Sequence, residues 1–459
     1  MAEMIPTELG TEKIGKLLKK YAVPAIIAMT ASSLYNMVDS IYIGQGVGPL
    51  AISGLALTFP LMNLSAAFGT LVGVGGATLI SVLLGQKNYA IAKKVLGNVF
   101  ILNIAIGVVF QIFALAFLEP ILYFFGASTD TIQYAKDYMV VILLGNVITH
   151  LYFGLNAIMR AAGHPQRAMI ATIVTVVLNC ILDPLFIFVF DMGIQGAAIA
   201  TVISQMVSLI WILRFFCNKN ELLHFTKGIF KIDFKIAGRS LSIGMAPFLM
   251  NVASCFVVIF INNQLKTHGG DMAIGAYGIV NRIVFLFLMI IMGFNQGMQP
   301  IAGYNYGAKL YSRVIEVLKK TIFLATVMTV SCFVLGMLFP HAAVSLFTRD
   351  PQLSAISAEG LRITVLAFPI VGFQMVTSNF FQSLGLAKKA IFLSLSRQLL
   401  FLLPLLIILP RYMGTNGVWY SMPISDTIAA VVAAVMLSGL LRKFKKEMVE
   451  QPIINSKND

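Results

Sequence analysis

The sequence predicts an all-α integral membrane protein, with twelve transmembrane helices in two pseudo-symmetric six-helix bundles. Three observations carry this reading. Hydrophobic residues make up 58% of the 459 residues and charged residues only 11%, far from the balance of a soluble globular chain. The apolar residues fall in continuous runs, each long enough for the roughly 20 residues that a spanning helix needs, and they do not alternate as barrel strands do. The second half of the chain also repeats landmarks of the first at an offset of about 220 residues.

The predicted spans are 16–43, 51–82, 95–118, 134–160, 167–190 and 194–216, then 238–265, 273–300, 314–340, 354–383, 390–409 and 416–441. They divide the chain into an N-terminal tail (1–15), an N-lobe (16–217), a basic linker (218–237), a C-lobe (238–441) and a C-terminal tail (442–459). The net charge of +14 resembles that of a nucleic-acid binder, but its placement excludes that class. With the N-terminus inside, 27 of the 33 basic residues fall on inner loops and tails, Arg397 among them. That asymmetry is the positive-inside signature of a membrane protein. Both termini are then cytoplasmic. Cys180, Cys217, Cys255 and Cys332 show no paired spacing and read as small packing residues. The first apolar run is too long for a signal-peptide core and no small-residue cleavage site follows it, so no signal peptide is expected.

Taken in order, the N-terminal segment is basic and amphipathic and is expected to lie on the inner membrane face. The first helix carries Pro24 and a polar stripe of Ser32, Asn36 and Asp39 at spacings of four and three, which share one helix face. The second holds Gly73-Val74-Gly75-Gly76, read as close helix packing. The fourth ends in the basic turn Asn156 to Ala168. The fifth contains LNCILDPLFIF, Leu178 to Phe188, where Asn179 and Asp183 lie four apart and Thr172 and Thr175 extend their face. Pro184 then removes a backbone N–H and favours a bend. The sixth offers Thr201, Gln205 and Ser208 on one face.

The repeat aligns Pro24 with Pro247, Ala51 with Ala273, Gly163 with Gly385 and Pro184 with Pro404. Six helices per repeat make the two halves parallel, a transporter plan with the binding site expected between them. Charge breaks the symmetry, because Asp39 maps near Asn262 and Asp183 near Leu403. The second half instead offers Arg282, Asn295, Gln296 and Gln299 in helix eight, Gln374, Ser378 and Gln382 in helix ten, and Asp426 in helix twelve.

Asp39, Asp183 and Asp426 are the acids well inside apolar runs, where ionisable groups mark function by default. At a rise of about 1.5 Å per residue, Asp39 and Asp183 fall at similar depth in the outer half of the membrane. Two carboxylates taken out of water beside one another need neutralising, by a proton or by a sodium ion that Asn179 helps to hold. Both proline sites, Pro24 and Pro184, are candidate hinges. No other metal site is expected. The 23 Met and 34 Phe residues provide adaptable apolar surface suited to varied amphipathic cations.

The segments VDSIYIGQGVGPLAISGLAL (Val38 to Leu57), NAIMRAAGHP (Asn156 to Pro165) and LNCILDPLFIF, set in this twelve-helix plan, resemble the MATE family of multidrug and toxic compound extrusion transporters, in its DinF/MepA-like branch. The resemblance covers nearly the whole chain. It implies export of cationic amphipathic drugs or dyes in antiport with protons or sodium ions, and no other cofactor. It implies a coupling site of Asp39, Asn179, Asp183 and Thr201, and bending at Pro24. Asn36, Gln205, Arg282, Asn295, Gln299, Gln374 and Asp426 are the cavity candidates. The NorM-like branch uses acids in helices seven and ten, where this chain has Asn262 and Gln374, so the N-lobe site is favoured. The implied setting is the lipid bilayer of the bacterial inner membrane, as a monomer, with no nucleic-acid partner and no enzymatic activity. The alternative is a lipid-linked oligosaccharide flippase of the same superfamily. Such a protein needs several cavity Arg or Lys for pyrophosphate, and here Arg282 stands alone.

Overall fold

The computed structural model describes residues 7–226 and 228–455. Counting each of two bent helix pairs as one span, the described residues form twelve spans long and apolar enough to cross a membrane. These are α1 (Ile14–Gly46), α2 (Leu50–Gly85), α3 (Tyr89–Ala116), α4 (Ile132–Leu144 with Asn146–Ala161), α5 (Pro165–Val189) and α6 (Gly193–Cys217). The second set is α7 (Phe234–Gly270), α8 (Met272–Gly307), α9 (Tyr311–Leu338), α10 (Pro351–Val365 with Phe368–Ser383), α11 (Ala387–Met413) and α12 (Thr415–Glu450). The fold is the all-helical, twelve-span plan that the apolar runs predict.

Four features depart from the predicted spans. The fourth and tenth helices, expected to be continuous, are bent by 55° and 56°. In α4 the break falls at Gly145, where a side chain would drive into Val202 of α6. In α10 it falls just before Pro369, whose ring cannot continue the preceding turn. The N-terminal segment does not simply lie on the membrane face: Leu9 is buried and its carbonyl accepts from Asn305 Nδ2 at 2.9 Å and from Arg313 Nη2 at 3.1 Å. The helix of α12 also continues to Asn455, fourteen residues past the expected end at 441, and Phe444 in this extension is buried and stacks on Tyr311, with ring centroids 4.9 Å apart.

Pro184 ends the regular part of α5, and Leu185–Val189 continue as a π-helical turn, with Phe190 N donating to Leu185 O at 3.0 Å. A second π turn, Ser396–Leu402, precedes Pro404 in α11. A proline that withholds its N–H loosens the ladder locally, and π turns of this kind gather at functional sites.

The chain forms two compact units. The first holds Ile27–Asn251, and the second holds Leu9–Ile26 together with the chain from Val252 onward. The boundaries therefore fall inside α1 and α7, and not at the tail and linker where the lobes were expected to begin. Glycines explain this. In the second unit Gly293 and Gly297 of α8 leave room for the backbone of Ile26 and Ala22. In the first unit Gly75 of α2 meets the Ser240 carbonyl, and Gly244 of α7 meets the Leu71 carbonyl. Close approach of this kind replaces the hydrophobic drive that lipid does not supply.

Within the first unit, α2 packs on α3 and α4, and α6 packs on α4 and α5. Its core includes Ile43, Leu61, Phe110, Leu122, Tyr138 and Ile187. Within the second, α9 packs on α10 and α11 on α12, around Ile261, Leu361, Phe368 and Trp419.

Candidate functional site

The site lies in the first unit, where α1, α5 and α6 each bring polar groups to one point. Asn179 and Asp183 sit one turn apart on α5 and are buried. Asn179 Nδ2 donates to Asp183 Oδ1 at 3.1 Å and to Thr201 Oγ1 of α6 at 3.2 Å. From α1, Asp39 brings its carboxyl within hydrogen-bonding reach of the Asp183 carboxyl. Asp39 is itself only 6% exposed. The four residues expected to act together are thus gathered in one place.

Three oxygens in this cluster accept no hydrogen bond: Asp39 Oδ1, Asp183 Oδ2 and Asn179 Oδ1. A buried acceptor without a donor costs free energy, and two adjoining carboxylates add like-charge repulsion. A shared proton removes both problems. So does a small monovalent cation, because every unmatched atom is an oxygen. No group of three or more His, Cys, Asp or Glu capable of holding a metal ion occurs among the described residues, which leaves this oxygen set without the soft ligands of a transition-metal site.

Two tyrosines complete the surroundings. Tyr35, one turn before Asp39, lies with its hydroxyl beside the Thr201 side chain. Tyr138, on the first segment of α4, is buried within electrostatic reach of Asp39, Asp183 and Tyr35. Sequence reasoning missed both. Tyr35 continues the stripe of Ser32 and Asp39 and could have been found by spacing. Tyr138 has no such signal. Below the cluster, Thr175 Oγ1 donates to Ser208 Oγ at 2.7 Å, so the α5 and α6 stripes meet along their length.

The other expected residues are dispersed. The side chain of Asn36 lies outside the described residues. Gln205 accepts from the Thr149 hydroxyl of α4 and is half-buried. Arg282, read from the sequence as an intramembrane base, is exposed on α8. Asn295 is buried with both amide atoms unpartnered, Gln299 is half-buried and Gln374 is buried. All three, with Arg282, belong to the second unit. Asp426 is not a free acid: its Oδ1 accepts from Arg397 Nη1 at 2.9 Å. Arg397, counted from the sequence as an inner-loop base, instead lies inside α11 as that acid's partner. Pro24 lies within α1, two residues before the unit boundary, and Pro184 precedes the π turn.

The MatE family pattern matches residues 24–185 and 243–408. The multidrug export protein MepA of Staphylococcus haemolyticus (strain JCSC1435) is 30% identical over 427 residues, 93% of this chain and 94% of that protein. Among solved structures, the MATE multidrug transporter DinF-BH, in complex with a dye, superposes with a TM-score of 0.88 at 37% identity, over 95% of this chain and 98% of that one. A multidrug resistance MATE family transporter in its outward-facing conformation superposes with a TM-score of 0.90 at 25% identity, over 97% of this chain and all of that one.

Proposed function

This chain belongs to the MatE family of multi-pass membrane transporters, and from that premise we propose that it exports cationic amphipathic compounds in antiport with protons or sodium ions. The observation that carries the proposal is the pairing of Asp39 with Asp183 around three buried oxygens that lack donors. A relative solved with a dye and relatives described as multidrug exporters support a small-molecule cargo. The inner-side surplus of bases supports an orientation with both termini cytoplasmic, and a bacterial inner membrane is the setting inferred from the exporter relatives. The working unit is taken as a monomer.

The mechanism is alternating access by the two six-helix halves. A proton or sodium ion enters from outside and neutralises Asp39 and Asp183. The oxygens that repelled one another then close on the ion, and α1 repacks near Pro24. That movement weakens the hold on cargo, which leaves outward. After the protein opens inward, the ion departs and a new cargo molecule binds. Coupling requires only that ion and cargo favour different states.

The test is Asp183→Asn in proteoliposomes loaded with a cationic dye. The variant is expected to keep its fold by circular dichroism and gel filtration and to lose ion-driven dye exchange under both a pH gradient and a sodium gradient. Exchange at the wild-type rate under either gradient would move the coupling site elsewhere. Comparing the two gradients in the wild type identifies the driving ion.

A further inference from the structure

The linker between α6 and α7 carries a basic and apolar face that shares no residue with the coupling cluster. From Lys227 to Arg239 a base recurs at every fourth residue, Lys227, Lys231, Lys235 and Arg239, with Asp233 the one acid in the stretch. Isoleucine and phenylalanine fill most of the positions between them.

The linker is held as a fixed strap. Phe225 N donates to Phe216 O at 2.8 Å. The Phe230 ring packs on Phe100 and Phe225, each with centroids 5.5 Å away. Asp233 N donates to Asn98 Oδ1 of α3 at 2.9 Å, and the Asp233 carboxylate caps α7 by accepting from the N–H groups of Lys235 and Ile236. Glu221, the other acid of the linker, is buried against Arg167 Nη1 and His164 Nε2, both at 2.9 Å. Glu221 is thus paired away from the outward bases, and Asp233 is the single acid beside Lys231, Lys235 and Arg239.

What the strap turns outward is apolar and basic. Phe230, Ile232 and Phe234 are 41%, 42% and 84% exposed. Lys231, Lys235 and Arg239 are exposed beside them. Phe234 is the first residue of α7, so this face stands where the chain enters the bilayer. Bulky rings left open to water are unfavourable. Rings and isoleucine interleaved with bases have the composition of a segment that rests among lipid headgroups.

We infer that this face is a binding site for anionic phospholipid, with the phosphate held by Lys231, Lys235 and Arg239 and the upper acyl chains lying on Phe230, Ile232 and Phe234. The complementarity is direct, three exposed cations against one acid, next to an apolar surface continuous with a membrane span. The site is independent of the coupling residues and does not depend on which ion drives export.

The test uses the full chain in mild detergent, with lipid retention read by native mass spectrometry during titration with phosphatidylglycerol or phosphatidylcholine. The wild type is expected to retain phosphatidylglycerol preferentially. The variant Lys231→Gln/Lys235→Gln/Arg239→Gln is expected to lose that preference, by at least roughly tenfold in apparent affinity given about fivefold for each base near an anionic surface. The control Lys388→Gln/Lys389→Gln, two bases at the start of α11, is expected to retain it. A Phe234→Trp variant is expected to gain fluorescence that brominated phosphatidylglycerol quenches more than brominated phosphatidylcholine does. Equal retention of the two lipids by the wild type, undiminished preference in the triple variant, or full displacement of lipid by inorganic phosphate would each overturn the proposal.

Discussion

Thr201 offers a sharp measurement of how the coupling cluster works. Its hydroxyl accepts from Asn179 Nδ2 at 3.2 Å, so a single oxygen ties α6 to α5 beside Tyr35 of α1. Thr201→Val keeps the shape and removes only that oxygen, leaving no cavity. One interhelical hydrogen bond is lost, and such bonds average about 0.6 kcal/mol in membrane proteins, with a ceiling near 1.7. The expected weakening is then about 0.6 kcal/mol, or roughly threefold in apparent affinity for the driving ion. The assay is dye exchange in proteoliposomes as a function of external sodium at fixed pH, and of external pH without sodium. Thr201→Ser is expected to restore most of the affinity, because it returns the oxygen. An unchanged ion affinity in folded Thr201→Val protein would refute the argument that this hydroxyl positions Asn179 and, through it, Asp183. A loss confined to sodium would make Thr201 a direct ligand of that ion.

Two further outcomes test the frame of each unit. Asp426→Asn is expected to lower thermal stability while leaving ion-coupled exchange intact. The side chains of Arg397 and Asp426 are 30% and 12% exposed, so screening holds the loss to about 1 kcal/mol, well under that of a fully buried pair. A double change of both residues to leucine is expected to recover stability in thermal unfolding, and failure to recover would assign the pair a role beyond mutual neutralisation. Gly244→Ala places a methyl group against the Leu71 carbonyl and is expected to destabilise by about 1–3 kcal/mol or to prevent accumulation. Gly238→Ala, which meets nothing within 4 Å, is expected to be silent in the same expression and melting assays.

The spans were legible because a bilayer demands long unbroken apolar runs, and this demand overrides finer signals. The breaks in α4 and α10 were not equally legible. Pro369 is a visible helix breaker, whereas Gly145 reads in sequence like any glycine in an apolar run. Only Val202, 57 positions away, shows why the chain needs it. The coupling cluster could be read since Asn179 and Asp183 fall one turn apart and buried acids are rare in such helices. Tyr35 shares the Asp39 stripe, but a tyrosine reads as packing until its hydroxyl partner is known. Asp426 shows the opposite limit. Its partner Arg397 lies 29 residues earlier on another helix, and no local spacing reveals a pairing between helices.

The division of α1 and α7 bears on how the duplicated halves can exist. The segment Leu9–Ile26 is encoded with the first repeat yet completes the second unit, and residues up to Asn251 do the reverse. A polypeptide cut within the linker would therefore yield two fragments that each lack a piece of their own scaffold and carry a piece of the other's. Neither fragment is self-sufficient, and co-synthesis of the two would be required for either to mature.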